Sequence, residues 1–159
     1  MNGLSLGNDP DKAKELGAIL KAVTPGKVNQ LKTVKVDLFL ESNDGEIFLF
    51  DLKTAKPNIS NFKDFKQTLL LWAGIALTVN PTAKVNTLIA IPYNPYEPEP
   101  YQRWTMKGML DLKEELKVAE EFWDFLGGKG AYEDLLDCFE RAGIELRPEV
   151  DKHFAKFKN

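Results

Sequence analysis

The chain has a single cysteine, Cys138, and a single histidine, His153. One thiol forbids an internal disulfide and suits a reducing cytoplasm. One cysteine and one histidine cannot furnish a Cys/His zinc site, and a centre built on several histidines is excluded outright. Neither GxxxxGK[ST] nor GxGxxG occurs, so a glycine-rich nucleotide cradle has no support. Long apolar runs are missing too. The longest, around Leu69–Val79, is interrupted by Trp72, Gly74 and Thr78, which predicts a buried helix rather than a membrane span. The opening MNGLSLGNDPDK lacks a basic and then apolar leader, so no signal peptide is expected. Carboxylates and lysines are what remain for chemistry.

With 159 residues, 43% of them apolar and 28% charged, the composition fits one soluble domain able to bury a core. The net charge of −3 argues at first against a nucleic-acid partner, but it is unevenly spread. Residues 12–35 hold six lysines (12, 14, 21, 27, 32 and 35) against Glu15 alone. Residues 53–66 hold four lysines (53, 56, 63 and 66) against Asp64. Acids collect in the C-terminal third. Such separation allows a basic face on an acidic protein; the other reading is ordinary solvated surface.

No internal repeat or low-complexity tract is present. Leu16, Ile19 and Leu20 share one face of a helix expected over 11–22 and stopped by Thr24-Pro25-Gly26. Strands are expected over 34–41 and 46–54, with a further short strand near Val28–Val34. A helix capped by Ser60 or Asn61 runs to Val79, its apolar stripe Phe62, Phe65, Leu69, Trp72 and Ala76. VNTLIAI, residues 85–91, reads as a buried strand. Residues 93–104 form a proline- and aromatic-rich loop. Helices follow near 117–126, 131–142 and 148–157. The expectation is one α/β domain over 1–159: a core over about 11–92 with a mixed β-sheet flanked by helices, the loop, and a helical C-terminal tail over 105–159.

The segment KVDLFLESNDGEIFLFDLKTAKPN, residues 35–58, carries the chemistry. Its Asn43-Asp44-Gly45 loop suits a three-residue hairpin ending in a left-handed glycine. In that register residues whose numbers sum to 88 face each other. Val36, Leu38 and Leu40 then oppose Leu52, Phe50 and Phe48 as an apolar face, while Asp37 opposes Asp51 and Lys35 opposes Lys53. A shift by one residue would mix charge into the apolar face, so the pattern itself selects this pairing. Two facing carboxylates repel, and a divalent cation between them is the natural compensation. Two aspartates with waters completing the shell describe a Mg²⁺ site. Lys53, on the same face as Asp51, would neutralise a phosphate or help orient or deprotonate an attacking water. The competing reading is a cross-strand Asp37–Lys53 ion pair on a solvated face.

These residues resemble the PD-(D/E)XK nuclease superfamily, here as Val36-Asp37 followed by Asp51-Leu52-Lys53. KVDLFL, FDLKTAKPN, EFWDFLGG and YEDLLDCFERAGIEL look like the Tde-type family of type II restriction endonucleases. Val36 stands where the motif has proline, Asp51 where it often has glutamate, and the chain is shorter than is usual for such enzymes. The resemblance implies a restriction-endonuclease-like core and Mg²⁺-dependent cleavage of double-stranded DNA at a short specific sequence. It makes Asp37, Asp51 and Lys53 catalytic, Asp37 and Asp51 the metal ligands, and Glu15 a possible additional acid. Lys35, Lys56, Lys63, Lys66, Gln67 and Arg103 are the candidate DNA contacts. Arg103 suits guanine in the major groove, or else it belongs to a loop packed by its aromatics. A cytoplasmic homodimer is expected, because two strands need two sites. The alternatives are a noncatalytic DNA- or protein-binding module on a nuclease-like fold, and a repair or recombination nuclease of the same superfamily.

Overall fold

The computed structural model describes residues 9–23, 34–55, 62–101 and 106–157, with the backbone alone of Phe62. They fall into two compact units, one ending at Val118 and the other beginning at Ala119.

The first unit opens with α1, Lys12–Ala22, whose N-cap Asp11 accepts a hydrogen bond from the Lys14 amide. Two strands follow, β1 (Leu38–Glu41) and β2 (Ile47–Leu52), then α2 (Phe62–Val79). Strands β3 (Val85–Ile91) and β4 (Leu116–Val118) complete the sheet. The strand order is β1-β2-β3-β4. The first pair is antiparallel and the other two are parallel, giving the mixed sheet that was expected.

The hairpin register is the one the apolar pattern selects. Leu38 faces Phe50, Phe39 faces Leu49, Leu40 faces Phe48 and Glu41 faces Ile47. Gly45 adopts φ +80°, the left-handed conformation such a loop requires of its last residue. Both strands are shorter than expected. β2 is not a half-solvated strand: Leu49, Phe50 and Asp51 are buried in succession, with β1 and β3 flanking it. The face of Asp51 is therefore covered, unlike a solvated hairpin face. On α2, Leu69 and Trp72 of the expected stripe are buried together with Ala73 and Leu77. β3 is buried along nearly its whole length, as a strand paired in parallel on both sides should be.

Most of the expected early strand and the stop signal after α1 lie outside the described residues. β4 lies where a helix was expected to begin at residue 117; the helix starts three residues later.

The second unit holds α3 (Glu120–Gly127) and α4 (Ala131–Ala155). Asp124 joins them: its carboxylate accepts from the amides of Gly130 at 3.0 Å and Tyr132 at 3.1 Å. Those bonds hold the Asp124 carboxyl below its ordinary range. A Cβ on Gly127 would sit 2.7 Å from that of Ala131, so the tight corner excludes any larger residue there. Two helices were expected after residue 131, divided at Gly143. The structure has one helix of 25 residues running through Gly143 and Pro148. Glycine and proline are poor helix formers, not absolute stops, and the 3–4 apolar spacing continues past both.

Candidate active site

The β1–β2 ladder ends at Leu38 and Phe50, and the next residue departs from it in a useful way. The Asp37 amide donates to the Phe50 carbonyl at 3.2 Å. The Asp37 carboxylate accepts from the Leu52 amide at 2.9 Å. A side-chain oxygen thus takes a bond that a strand carbonyl would otherwise receive, and it pins the carboxylate against β2 beside Asp51.

Asp51 is only 8% exposed. Burial pushes its carboxyl above the ordinary carboxylate range; the Lys53 ammonium pulls it back, and the neighbouring Asp37 carboxyl adds to the rise. Lys53 Nζ is bonded to Asp51 Oδ1 and stands over the Phe65 ring, 4.8 Å from its centroid. The Lys53 amide donates to the Ala90 carbonyl at 2.8 Å, which fixes the backbone just beyond β2. Asp37, Asp51 and Lys53 therefore come together as the hairpin register foretold.

A second charged group lies on the same face of the sheet. Asp51 pairs with Ile89 and Leu49 with Thr87, so side-chain alternation puts Thr87 on the Asp51 face. Lys12 Nζ donates to Thr87 Oγ1 at 2.5 Å and to Glu115 Oε1 at 2.8 Å. Lys66 Nζ donates to Glu115 Oε2 at 2.6 Å and to Glu15 Oε2. The Asp111 amide adds a bond to Glu115 Oε2 at 2.9 Å. Glu115 and Lys66 are both 0% exposed. Desolvation lowers the Lys12 ammonium from its ordinary range, and Glu115 opposes that fall.

This network moves one expectation. Lys66, a candidate DNA contact by sequence, does not reach the surface; it neutralises two glutamates inside the unit. Glu15 is tied to Lys66, with its side chain a quarter exposed. Lys35, Lys63 and Gln67 are exposed, as DNA contacts must be. Lys56 and Arg103 lie outside the described residues. Tyr101, in the described part of the aromatic loop, donates its hydroxyl to the Ala55 carbonyl at 2.9 Å, tying that loop to the segment after β2. Sequence reasoning missed Lys12, Thr87 and Glu115. Thr87 offered the one available signal, as a hydroxyl inside an apolar strand.

Among the described residues, no three or more Asp, Glu, His or Cys converge as a metal-holding group. The oxygen set on offer is the Asp37–Asp51 pair. Two neighbouring carboxylates, one lifted by burial, fit a hard divalent cation that keeps several of its waters. Among the described residues, no helix is long and apolar enough to cross a membrane.

Comparison with known proteins is independent of this geometry. Residues 1–143 match the family described as type II restriction endonuclease, HinfI. The type II restriction enzyme HgiCII of Herpetosiphon aurantiacus is 25% identical over 135 residues, covering 84% of this chain and 49% of that enzyme. HgiEI of the same organism is 25% identical over 119 residues, covering 74% of this chain and 43% of the relative. MjaII of Methanocaldococcus jannaschii is 30% identical over 103 residues, covering 58% and 28%. The chain thus spans less than half the length of each of these relatives. The match supports the wider resemblance to type II restriction endonucleases, and the family it names is HinfI rather than Tde. The chain belongs to the HinfI family of type II restriction endonucleases.

Proposed function

We propose that this chain is a Mg²⁺-dependent endonuclease that hydrolyses phosphodiester bonds of double-stranded DNA at a short specific sequence. The observation that carries the reading is the meeting of two carboxylates and a lysine at the end of a buried strand. Asp37 and Asp51 would hold the cation. When bound there, Mg²⁺ supplies Lewis-acid activation of water and charge neutralisation at the phosphate.

The chain's own residues do the rest. Asp37, fixed by the Leu52 amide, keeps its carboxylate turned toward Asp51. Asp51, ionised, closes the oxygen set. Lys53 exchanges part of its bond to Asp51 for a phosphate oxygen and so draws the scissile group toward the carboxylates. Phe65, under the ammonium, keeps Lys53 from swinging into solvent. Lys35, Lys63 and Gln67, with Lys56 and Arg103, are the proposed DNA contacts. A homodimer presents two such sites, one for each strand, and a reducing cytoplasm is the proposed location.

Plasmid digestion with and without Mg²⁺ tests the reading, with Asp51→Ala as control. Discrete fragments that need Mg²⁺ and vanish in the variant are expected. An unpatterned smear would make the chain a repair or recombination nuclease instead. Intact plasmid under every condition would make it a noncatalytic module. Binding to a short duplex in Ca²⁺, which fills oxygen sites with less strict geometry, should fall steeply with salt. About five phosphate contacts give a slope of log K against log salt of roughly −4 to −5; a flat response would remove the DNA claim.

A further inference from the structure

Residues 92–101 leave the end of β3 beside the end of β2 and come back to it. Leu52 pairs with Ala90, and the Lys53 amide donates to the Ala90 carbonyl at 2.8 Å. The loop that follows braces itself. The Asn94 side chain accepts from the Tyr96 amide at 3.0 Å and donates to the Glu99 carbonyl at 2.8 Å. The Glu99 amide donates to the Tyr96 carbonyl at 2.8 Å, and the Tyr96 and Tyr101 rings lie 5.9 Å apart, tilted by 50°. From this braced loop the Tyr101 hydroxyl donates to the Ala55 carbonyl at 2.9 Å, across 46 residues of sequence. Ala55 is buried, and a buried carbonyl is costly to leave without a donor.

We infer that Tyr101 is a positioning residue: by holding the Ala55 carbonyl, its hydroxyl sets the direction in which the Lys53 side chain leaves the backbone. The inference rests on the reading of Lys53 as the group that draws in the phosphate. β2 ends at Leu52, so from Lys53 onward no strand ladder steers the chain. Its two ties are the Lys53 amide on Ala90 and, two residues later, the Tyr101 hydroxyl on Ala55. Two residues span at most about 7 Å, and a span so short with both ends fixed has little room to turn. A lysine side chain is a flexible four-carbon stem, so the direction of its root decides which partners its ammonium can reach. Here Nζ reaches the Asp51 carboxylate and the Phe65 ring together. One partner comes from β2 and the other from α2, so a narrow range of directions serves both. Tyrosine suits the task, because its hydroxyl stays protonated up to about pH 10 and its ring is seated against Tyr96. Deleting the hydroxyl frees the far end of the span that carries Lys53.

The test compares the full chain with Tyr101→Phe, which deletes the hydroxyl and keeps the ring, in two measurements. The first needs neither DNA nor metal. Methylene protons held over an aromatic face are shifted upfield in proton NMR, so the Lys53 side-chain signal reports its seat on Phe65; Phe65→Leu identifies that signal by abolishing the shift. In Tyr101→Phe most of the shift should be lost, with helical circular dichroism unchanged. The second measurement is cleavage, read beside duplex affinity in Ca²⁺. Turnover should fall by about tenfold or more while affinity holds, because the hydroxyl is engaged with Ala55. An unchanged shift in Tyr101→Phe overturns the inference, and so does a wild-type chain without one, since Lys53 then has no seat to be set. Full turnover with the shift lost does the same. Affinity and turnover falling together would make Tyr101 a DNA contact and overturn it too. A wild-type chain that cuts nothing overturns the reading of the site instead, and the NMR signal still decides whether Tyr101 holds Lys53.

Discussion

Two groups of charges share one face of the same sheet, and they are built on opposite terms. Around Glu115, two lysines meet two glutamates; Lys66 and Glu115 are fully buried, and Glu115 alone accepts three bonds. Around Asp51, two aspartates meet one lysine. The first group is neutral and saturated, so it has nothing left to offer a ligand. The second keeps a negative excess that burial makes more costly. A balanced set holds structure together; an unbalanced one is the proposed seat of a cation. The difference separates two lysines, Lys53 and Lys66, that look alike in sequence.

The sharpest way to break this comparison is to remove a member from each side. Asp51→Ala and Lys53→Ala should lower cleavage by about a thousandfold or more, since each removes a group proposed to act at the reacting phosphate. Thermal unfolding of Asp51→Ala should stay near wild type, because that change removes the buried charge itself rather than the partner that balances it. Wild-type turnover of either variant in a Mg²⁺ titration would dissolve the assigned roles.

Lys66→Met should do the reverse. It leaves Glu15 unpaired and Glu115 short of one partner, at a cost of about 3–5 kcal/mol in urea unfolding. Unchanged stability with lost cleavage would transfer Lys66 from the framework to the reaction.

A finer test uses pH. Burial raises the folded-state pKa of Asp51 above its ordinary value of 3.8. A raised carboxylate favours the protonated native state, so the contribution of Asp51 to stability falls as pH climbs from 3.8 through the raised value. Cation affinity should climb over the same window, because only the ionised form binds. Opposite trends in melting temperature and Ca²⁺ affinity are expected on titration. Lys53→Met should move the onset of Ca²⁺ binding to still higher pH, since Lys53 pulls the Asp51 value down. Parallel trends would mean that another carboxylate governs binding.

The smallest expected effect is at the exposed rim. Lys63→Ala should weaken duplex binding for all sequences alike and make the salt slope shallower by about one. Lys66, being buried, should have no such signature.

Much of this was legible because a strand has a period of two. Apolar residues alternate with Asp37, Asp51 and Lys53 around a glycine-ended loop, so one register alone keeps charge off the core face. That pattern carries through to the paired residues of β1 and β2. The fate of Lys66 was not legible. On α2 it is adjacent to Phe65, away from the main apolar stripe, and only two distant glutamates explain why a lysine is tolerated inside. Those partners come from α1 and from the residue before β4, which no local pattern connects. β4 itself was hidden because three residues are too few to show alternation. α4 was divided by its glycine and proline, punctuation that a continuous helical face overrode.

The bond between Lys12 and Glu115 spans 103 residues of sequence, and this has a kinetic meaning. Until α1 and the approach to β4 have both arrived, neither charge has its partner, and an early intermediate that buried one alone would be penalised. Closure of so long a loop belongs late on the folding path. In the native state the same link makes the two ends of the first unit open together. Amide hydrogens of α1 and of β4 should therefore exchange at matched rates, as one cooperative unit.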